Sequence, residues 1–241
     1  MCSRREAERW IAAGRVRVNG EVVSSPRSPV DPARDVLLVD GLRIGAELDR
    51  LVLAFHKPVG VVTTRDDPGG RPTVYDVLEG LDRWVFPVGR LDRNTSGLLI
   101  LTNDVALGHR LTDPEHHVPR TYHARVQGLP DAEALRALRE GLDLGDGVPT
   151  RPARARLLGS PRPGASPAPG TSWLELVLTE GRNRQVRRMC ARVGHDVLDL
   201  VRVRIGTLDL GDLPPAHWRP LTRGQVVNVE SCPPERSPAA Q

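Results

Sequence analysis

The chain has 241 residues, of which 39% are hydrophobic and 27% charged, with a formal net charge of +4 and a pI of about 9.5. This apolar content is sufficient for a core, and no apolar run approaches the roughly 20 residues that span a bilayer, so we predict a cytoplasmic protein without a membrane partner. The three cysteines, Cys2, Cys190 and Cys232, lie far apart, which argues against a disulfide framework or a zinc site.

The basic side chains are almost all arginine, since Lys57 is the only lysine. A guanidinium group binds phosphate through two parallel hydrogen bonds and stacks on bases, so a surface of arginines suits RNA. A net charge of +4 does not by itself identify a nucleic-acid partner. The positions of the arginines in the chain are therefore more informative than their number.

The first 45 residues form a separate predicted module. The sequence SRRE at residues 3–6 is typical of a capping box, and it opens a predicted helix that ends at Gly14. The alternating segment RVRVNGEVV then predicts a hairpin that turns at Asn19 and Gly20, and a strand near residues 36–39 follows. A solvated amphipathic helix beside a hairpin is the alternative interpretation. The basic side chains available to one surface are Arg4, Arg5, Arg9, Arg15 and Arg17.

A larger domain is predicted at residues 50–230, with a disordered tail at residues 232–241. Strands that occur in pairs, mixed with isolated helices, favour an α+β fold over a regularly alternating parallel sheet. The predicted strands are residues 51–56, 61–64, 84–88, 98–102, 121–126 and 172–180, with further strands through residue 228. The predicted helices are residues 73–79, 106–111, 131–140 and the segment GRNRQVRRMCARVG, and residues 161–170 form a predicted surface loop.

The segment PVGRLDRNTSGLLILTND, residues 87–104, contains the first candidate for chemistry. It places Asp92 between two arginines and ahead of a small-residue turn, and an apolar strand follows at once. Such a turn can present a nucleophile, although it is also a plausible ordinary surface loop. A glycosidase needs two acids about 5 to 9.5 Å apart. The strand between Asp92 and Asp104 alone spans about 17 Å, so these two acids do not form such a pair.

The segment EGRNRQVRRM, residues 180–189, contains the second candidate. Helical spacing predicts a buried stripe made of Val186, Met189, Cys190 and Val193. The arginines predicted on the other faces are Arg184, Arg187, Arg188 and Arg192. A solvated basic face is the simplest interpretation. However, the arginines cluster at the start of the helix after a glycine-bearing turn, where backbone N–H groups also attract anions.

These segments, taken in chain order, resemble the ribosomal RNA pseudouridine synthases. The similarity includes HKPVGVVTT, GRLDRNTSGLLILTND, RTYHARV and EGRNRQVRRM, and it extends from about Cys2 to Val229. It is greatest to the branch that modifies small- or large-subunit rRNA and carries an N-terminal S-four-type RNA-binding module. The resemblance implies an α+β pseudouridine synthase fold, with a mixed, mainly antiparallel central sheet, flanking helices and a catalytic cleft, at residues 50–230. It implies the RNA-binding module at residues 1–45.

The resemblance also implies roles for individual residues. Asp92 is implied to be the catalytic aspartate, and Tyr122 the tyrosine that packs on the uracil ring. Arg187 is implied to be the basic partner of the aspartate, with Arg184 as the nearest competitor. Arg90 is implied to enter the space that the target uridine leaves. The residues implied to bind RNA or substrate are Arg90, Thr95, Ser96, Lys57, Arg120, Arg182 and Arg184 in the domain and Arg4, Arg5, Arg15 and Arg17 in the module.

The implied activity is the isomerisation of one uridine of ribosomal RNA to pseudouridine, with large-subunit 23S rRNA favoured, by an isomerase without cofactor or metal. Asp92 either attacks the anomeric carbon or abstracts a ribose proton, and the sequence leaves both routes open. The expected partner is ribosomal RNA or a ribosome-assembly intermediate, and we expect a monomer. The alternatives are an enzyme for 16S small-subunit rRNA, a non-catalytic RNA-binding assembly factor and a nucleoside hydrolase. The acid at Asp92 argues against the second, and the missing second carboxylate argues against the third.

The N-terminus departs from the family pattern. The module normally begins with a further helix upstream of the residues that correspond to CSRREAERWIAAGRVRVNG, and this sequence begins directly before that segment. We therefore expect either a module without its first helix or a start upstream of Met1. The contribution of the module to RNA binding depends on which of the two holds.

Overall fold

A computed structural model describes residues 4–31, 34–44, 50–81, 83–159 and 168–230. Outside these ranges lie Ser3 of the predicted capping box, most of the predicted loop at residues 161–170 and the predicted tail at residues 232–241. The chain divides into two compact units, Met1–Arg50 and Leu51–Gln241. Among the described helices, none is both long and apolar enough to cross a bilayer.

The N-terminal unit combines one helix with a small antiparallel sheet. Its described elements are α1 (Arg4–Ala12), β1 (Val16–Val18), β2 (Glu21–Val22), β3 (Leu37–Val39) and β4 (Leu42–Ile44). The strand order is β2-β1-β3-β4. Asn19 and Gly20 both have positive φ angles, 52° and 90°, as the type I′ turn of a two-residue hairpin requires. The predicted hairpin is therefore confirmed, and β4 is a strand that the sequence pattern does not predict.

The larger unit is built on a nine-stranded sheet within the described residues. Its elements are β5 (Val52–Lys57), β6 (Phe86–Pro87), β7 (Ser96–Thr102), α2 (Val105–Thr112), a short 3-10 helix (Pro114–His116), β8 (Arg120–Gln127), α3 (Ala132–Glu140), β9 (Arg154–Leu158), β10 (Thr171–Leu178), α4 (Gln185–Arg192), β11 (Val197–Ile205), β12 (Leu208–Asp209), β13 (Trp218–Pro220) and α5 (Arg223–Glu230). The main strand order is β13-β5-β7-β11-β8-β10-β9, with β6 beside β7 and β12 beside β11. Only β7 and β11 pair in parallel among these described strands. The predicted α+β class with a mixed, mainly antiparallel sheet is confirmed.

Strand β7 is buried on both faces of the sheet. Leu98 and Ile100 pack in a cluster with residues of α2 and α5, whereas Leu99 and Leu101 pack in another cluster with Phe55. A strand covered on both faces has no polar side, which explains the uninterrupted apolar run after Ser96. This buried strand directly follows the turn that contains Asp92.

Helix α4 buries the predicted stripe. Val186, Met189 and Cys190 are buried in a third core cluster, and Val193 packs against it. Burial raises the pKa of the Cys190 thiol to about 12, so this side chain packs as an apolar residue. The prediction from helical spacing is confirmed, and the arginines of α4 lie on its remaining faces.

The parallel pair of β7 and β11 requires glycine at one position. Gly97 lies opposite Arg202 and has a φ angle of +110°. A Cβ atom at Gly97 would lie 2.3 Å from the carbonyl oxygen of Arg202, which is closer than any side chain permits. The two strands can therefore approach closely here, and Arg202 is brought next to the segment that follows Asp92.

The predicted strand at residues 61–64 and helix at residues 73–79 are wrong. These segments form turns, joined by one isolated bridge between Val62 and Thr73. The Asp76 carboxylate accepts hydrogen bonds from the backbone N–H and the hydroxyl of Thr73, at 2.7 and 3.0 Å. The first of these bonds is of the type found at helix starts, but a helix of seven residues has too few internal hydrogen bonds to be stable by itself. The strand predicted at residues 84–88 is reduced to β6.

The end of the domain is also predicted wrongly, because α5 occupies residues assigned to a strand. Thr222 and Gln225 form a reciprocal cap at its start. The Thr222 hydroxyl accepts from the N–H of Gln225 at 3.2 Å, and the Gln225 amide oxygen accepts from the N–H of Thr222 at 3.1 Å. This is the capping box T-x-x-Q, a helix signal that the valines following it obscure.

Candidate active site

A cleft of about 460 Å³ lies in the larger unit beside the turn that contains Asp92. Its walls come from this turn, from β8, from the start of α4 and from β11. The predicted site residues that line it are Arg90, Asp92, Thr95, Arg120, Tyr122, Arg182, Arg184 and Arg187. Lys57 and Ser96 do not line it. Arg15 and Arg17 are exposed in the N-terminal unit, and the side chains of Arg4 and Arg5 lie outside the described part of the chain.

The Asp92 turn is anchored through its backbone by the segment that follows β5. The Thr63 hydroxyl donates to the carbonyl oxygen of Leu91 at 2.8 Å and accepts from its N–H at 3.2 Å. The N–H of Gly60 donates to the carbonyl oxygen of Arg93 at 2.8 Å. Both residues that flank Asp92 are therefore held, so the position of its Cα atom is defined by hydrogen bonds on either side.

The carboxylate of Asp92 is half-buried and faces the cleft without a partner. Within the described residues it forms neither a hydrogen bond nor an ion pair. Its neighbours Arg90 and Arg93 are exposed, so positive charge surrounds the turn without neutralising the acid. An unpaired carboxylate in such surroundings is available as a nucleophile or as a base.

Arg187, on α4, forms a hydrogen bond to the turn that contains Asp92. Its guanidinium group donates to the carbonyl oxygen of Asn94 at 2.7 Å and to that of Val197 at 2.8 Å, while its Nε atom is buried and has no partner among the described residues. Burial lowers the pKa of Arg187, the charge of Arg184 acts in the same direction, and the charge of Asp92 opposes both. Arg187 therefore acts on Asp92 through space, without an ion pair. Arg184 is exposed at the start of α4.

Tyr122 and Arg120 lie on β8 at the wall of the cleft. The Tyr122 ring is half-buried and packs against two core clusters, which fixes its orientation. Arg120 donates to the carbonyl oxygen of Leu111 at 2.9 Å. Burial lowers the pKa of Arg120; Tyr122 opposes this effect and the charge of Arg202 adds to it.

Lys57 is completely buried, so its side chain does not reach RNA in this conformation. Its Nζ atom donates to the carbonyl oxygens of Pro58 and Val61, both at 2.7 Å. Burial lowers the pKa of Lys57 to about 8, the charge of Asp92 opposes this shift, and the charge of Arg202 adds to it. The ammonium group thus shapes the segment that anchors the Asp92 turn.

Arg202 lines the cleft and is a residue that the sequence reasoning missed. Its side chain is only 3% exposed, and its Nε atom donates to the carbonyl oxygen of Leu98 at 2.8 Å. Alternation in VRVRIG gives no such signal, because it places Arg202 and the exposed Arg204 together on the polar face of the strand. The structure buries only Arg202, at a register shift between these two residues in β11.

Arg182 differs from the other arginines of the cleft, because a carboxylate holds it. It forms an ion pair with Asp146 and donates to the carbonyl oxygen of Val148 at 2.8 Å. Arg188 lies 3.7 Å from the same Asp146 carboxylate. Part of the positive charge at this end of the cleft is therefore neutralised in the isolated protein.

Comparison with known families gives two matches. The family described as RNA pseudouridylate synthase matches residues 51–192, and the S4 domain matches residues 1–36. The first match covers more than half of the chain and includes the Asp92 turn, Tyr122 and the start of α4.

Similar proteins cover nearly the whole chain. An RNA pseudouridine synthase of Aquifex aeolicus (strain VF5) is 37% identical over 230 residues, which are 95% of this chain and 89% of that protein. The ribosomal large subunit pseudouridine synthase B of Bacillus subtilis (strain 168) is 39% identical over 231 residues, covering 96% and 91%. A crystal structure of a pseudouridylate synthase has a TM-score of 0.68 and 30% identity, with 94% of each chain covered.

Proposed function

The chain belongs to the RNA pseudouridylate synthase family and carries an S4 domain, and on this premise we propose that it converts one uridine of ribosomal RNA to pseudouridine at Asp92. As a member of this family the protein is an isomerase that acts on RNA. The large-subunit rRNA is the proposed substrate, because the Bacillus subtilis relative is named for that subunit. Small-subunit rRNA is the alternative.

The observation that carries this proposal is the unpaired Asp92 carboxylate in a cleft lined by arginines. A surface that only bound phosphate would lose affinity through an acid at this place, since like charges repel. A carboxylate that reacts with a ribose needs to be accessible, and Asp92 is half-buried and lines the cleft. The proposed reaction breaks the bond between ribose and N1 of uracil and rejoins the base through C5. C5 then releases its proton and N1 takes one up.

Arg187 is the proposed electrostatic partner of Asp92 in the RNA-bound state. Catalytic contacts in free enzymes are often long and shorten when substrate binds. At about 4 Å such a pair would contribute on the order of 4 kcal/mol at an effective dielectric constant of 20, before desolvation is counted. This attraction keeps the carboxylate charged while substrate excludes water from it.

Tyr122 and Arg90 are proposed to help the target uridine leave its helix. Extraction of a base costs a few kcal/mol of stacking. Contact with the face of an aromatic ring returns about 1–3 kcal/mol, and the half-buried ring of Tyr122 is held in one orientation for it. The exposed Arg90 is proposed to fill the space that the base leaves.

The two predicted domains are proposed to have different functions, one in the reaction and the other in RNA binding. Residues 50–230 carry the reaction, and residues 1–45 bind RNA through arginines such as Arg17 and Arg15, of which Arg15 is paired with Asp40 in the free protein. Phosphate contacts position a nucleic acid without reading its sequence, which suits a small module of this kind. The proposed assembly is one protein molecule on ribosomal RNA or on a ribosome-assembly intermediate, in the cytoplasm.

The test is to map pseudouridines in the rRNA of a strain that lacks this protein. The expected result is the loss of one pseudouridine from large-subunit rRNA and its return when the wild-type protein is supplied. Loss of a small-subunit site instead would select the alternative substrate. Unchanged pseudouridine in both subunits would overturn the proposal.

A further inference from the structure

Three buried polar atoms that belong to residues lining the cleft have no hydrogen-bond partner in the described part of the chain. They are Oγ1 of Thr95, Nε of Arg187 and Nη2 of Arg202. One other buried side-chain atom of the described residues shares this property, Nε1 of Trp84, and it does not line the cleft. Buried polar groups are normally paired, so their concentration at one place indicates a ligand that supplies the missing partners.

The register of the sheet places Arg202 in the centre of this group. Cross-strand pairing joins Lys57, Gly97, Arg202 and Tyr122 in one row across β5, β7, β11 and β8. Directly paired residues of neighbouring antiparallel strands have their Cβ atoms about 5 Å apart on the same face. Arg202 is therefore the immediate neighbour of Tyr122. On the other side of Arg202 lies Gly97, which contributes no side chain.

The charges around Arg202 favour an anionic ligand. Arg202 depresses the pKa of Lys57 and that of Arg120, in each case in addition to burial. These three cations donate to backbone carbonyl oxygens, which hold their positions but leave their charges uncompensated. Negative charge that develops next to them is stabilised strongly, because a buried site contains little water to screen it.

The burial of the Arg202 side chain indicates whether its ligand is a phosphate group or a base. The RNA backbone remains at the surface when a nucleotide is flipped, and Arg90 and Arg184 are exposed there. Arg202 is only 3% exposed, beside the tyrosine proposed to contact the uracil ring. A base that enters such a pocket offers the carbonyl oxygens of uracil as acceptors. Nη2 of Arg202 is buried in the free protein and would come within reach of them as contacts shorten on binding.

We propose that Arg202 is a further catalytic residue, which donates a hydrogen bond from Nη2 to a carbonyl oxygen of the target uracil and stabilises the negative charge of the detached base. This inference rests on the proposed function. When the bond between C1′ and N1 breaks, its electron pair goes to N1, and the charge spreads over O2 and O4. Asp92 either bonds to C1′ or takes the proton of C2′, and the uracil anion forms on both routes.

The first test compares single-turnover rates of Arg202→Met, Arg202→Lys and the control Arg204→Gln at saturating protein on an rRNA fragment. Arg204 lies on the same strand, is exposed and pairs with Asp209, outside the cleft. Arg202→Met is expected to lose activity on the order of 100-fold, as for the loss of one oxyanion-stabilising donor. Arg202→Lys keeps the charge and is expected to lose less, while Arg204→Gln retains the wild-type rate. If the methionine variant melts below the assay temperature, the lysine variant carries the test.

A second substrate separates a chemical role from a structural one. Fluorine at C5 makes uracil a better leaving group, so a fragment with 5-fluorouridine at the target needs less help from Arg202. We expect the loss in the Arg202 variants to be at least fivefold smaller on this fragment. The rate is measured as disappearance of 5-fluorouridine by chromatography of the digested RNA, because C5 carries fluorine and has no proton to release when the base rejoins there. Equal losses on both fragments, or wild-type rates in Arg202→Met, would overturn the assignment while the proposed function stands. A wild-type protein that converts neither fragment would overturn both.

Discussion

Three buried or half-buried arginines of the cleft differ in their partners from several arginines elsewhere on the molecule. In the cleft, these three guanidinium groups donate to backbone carbonyl oxygens. The bonds join Arg120 to Leu111, Arg187 to Asn94 and Arg202 to Leu98, at 2.9, 2.7 and 2.8 Å. A carbonyl oxygen fixes a guanidinium group in place but does not cancel its charge, so the cleft stays electropositive.

Outside the cleft, several arginines are paired with carboxylates, although Arg17 and Arg139 donate to backbone carbonyl oxygens. The pairs are Arg15 with Asp40, Arg125 with Asp199 and Arg204 with Asp209. Exposed pairs of this kind contribute about 0–1 kcal/mol to stability. Total charge therefore describes this protein poorly, because its function depends on where positive charge is left uncompensated. Arg182 lies between the two groups, since it lines the cleft and is paired with Asp146.

The largest effect is expected for Asp92→Asn, which removes the negative charge that the cleft arginines surround. Asparagine is nearly isosteric but acts neither as a nucleophile nor as a base, so the rate should fall on the order of 10⁴-fold. The measurement is tritium release from an rRNA fragment labelled at C5 of uracil. Asp209→Asn, at a carboxylate that pairs with Arg204 outside the cleft, is the matched control and should keep full activity. A rate of Asp92→Asn within tenfold of wild type would remove this residue from the centre of the mechanism.

The difference between the arginines of the cleft and the paired arginines outside it is tested by replacing one arginine of each group by methionine. Arg187→Met leaves the carbonyl oxygens of Asn94 and Val197 unpaired and loosens the Asp92 turn, so we expect about 100-fold lower activity and about 1–3 kcal/mol lower stability. Arg125→Met should change stability by less than about 1 kcal/mol and activity not at all. Urea unfolding and single-turnover kinetics measure both effects. Similar losses in the two variants would refute the distinction drawn between the groups.

Tyr122 tests whether the ring next to the buried arginines contributes stacking. Tyr122→Phe keeps the ring and should retain RNA affinity, losing rate only through the hydroxyl. Tyr122→Ala removes the ring and should lose about 1–3 kcal/mol of binding, which is about 5- to 150-fold, as well as rate. Fluorescence anisotropy with a labelled rRNA fragment gives the affinities. Equal binding by wild type and Tyr122→Ala would contradict the stacking role.

The N-terminal module should influence binding rather than chemistry. Removal of one arginine–phosphate interaction flattens the dependence of log K on log salt by about 0.7 to 0.9. Deletion of residues 1–42 should therefore weaken binding and reduce this slope, yet leave the single-turnover rate at saturating protein nearly unchanged. Arg17→Gln in the full chain is the smaller, matched change and should remove at most one such interaction. An unchanged slope after the deletion would mean that the module does not bind this RNA.

The smallest effect is expected for Asp146→Asn. This change removes the carboxylate that neutralises Arg182, so the positive charge of Arg182 becomes uncompensated. Loss of the ion pair frees Arg182 and nearby Arg188 for phosphate, so affinity for RNA should rise a few-fold and the salt slope should steepen by about one phosphate interaction. Asp209→Asn frees Arg204 away from the cleft and serves as the control. An affinity of Asp146→Asn equal to that of wild type would show that Arg182 does not contact the RNA.

Elements with a strong local signal could be predicted from the sequence. The Asn19–Gly20 hairpin follows from turn chemistry, and the buried stripe of α4 follows from helical spacing. The candidate site also has a local origin, because Asp92 and the arginines of α4 lie in short recognisable segments. Where two local signals compete, as at Thr222 with its capping box and following valines, pattern alone selects the wrong element.

The sequence by itself determined the α+β class, the family resemblance, the candidate acid Asp92 and most of the residues around it. Only the tertiary structure decided that Lys57 is buried and donates hydrogen bonds to two carbonyl oxygens. It also decided that Arg187 binds the carbonyl oxygen of Asn94 and that Arg202 lines the cleft. The physical reason is the distance along the chain between the partners. Arg202 meets Leu98 across the parallel pair of β7 and β11, about 100 residues apart, and the partner that a guanidinium group finds there decides whether its charge is cancelled.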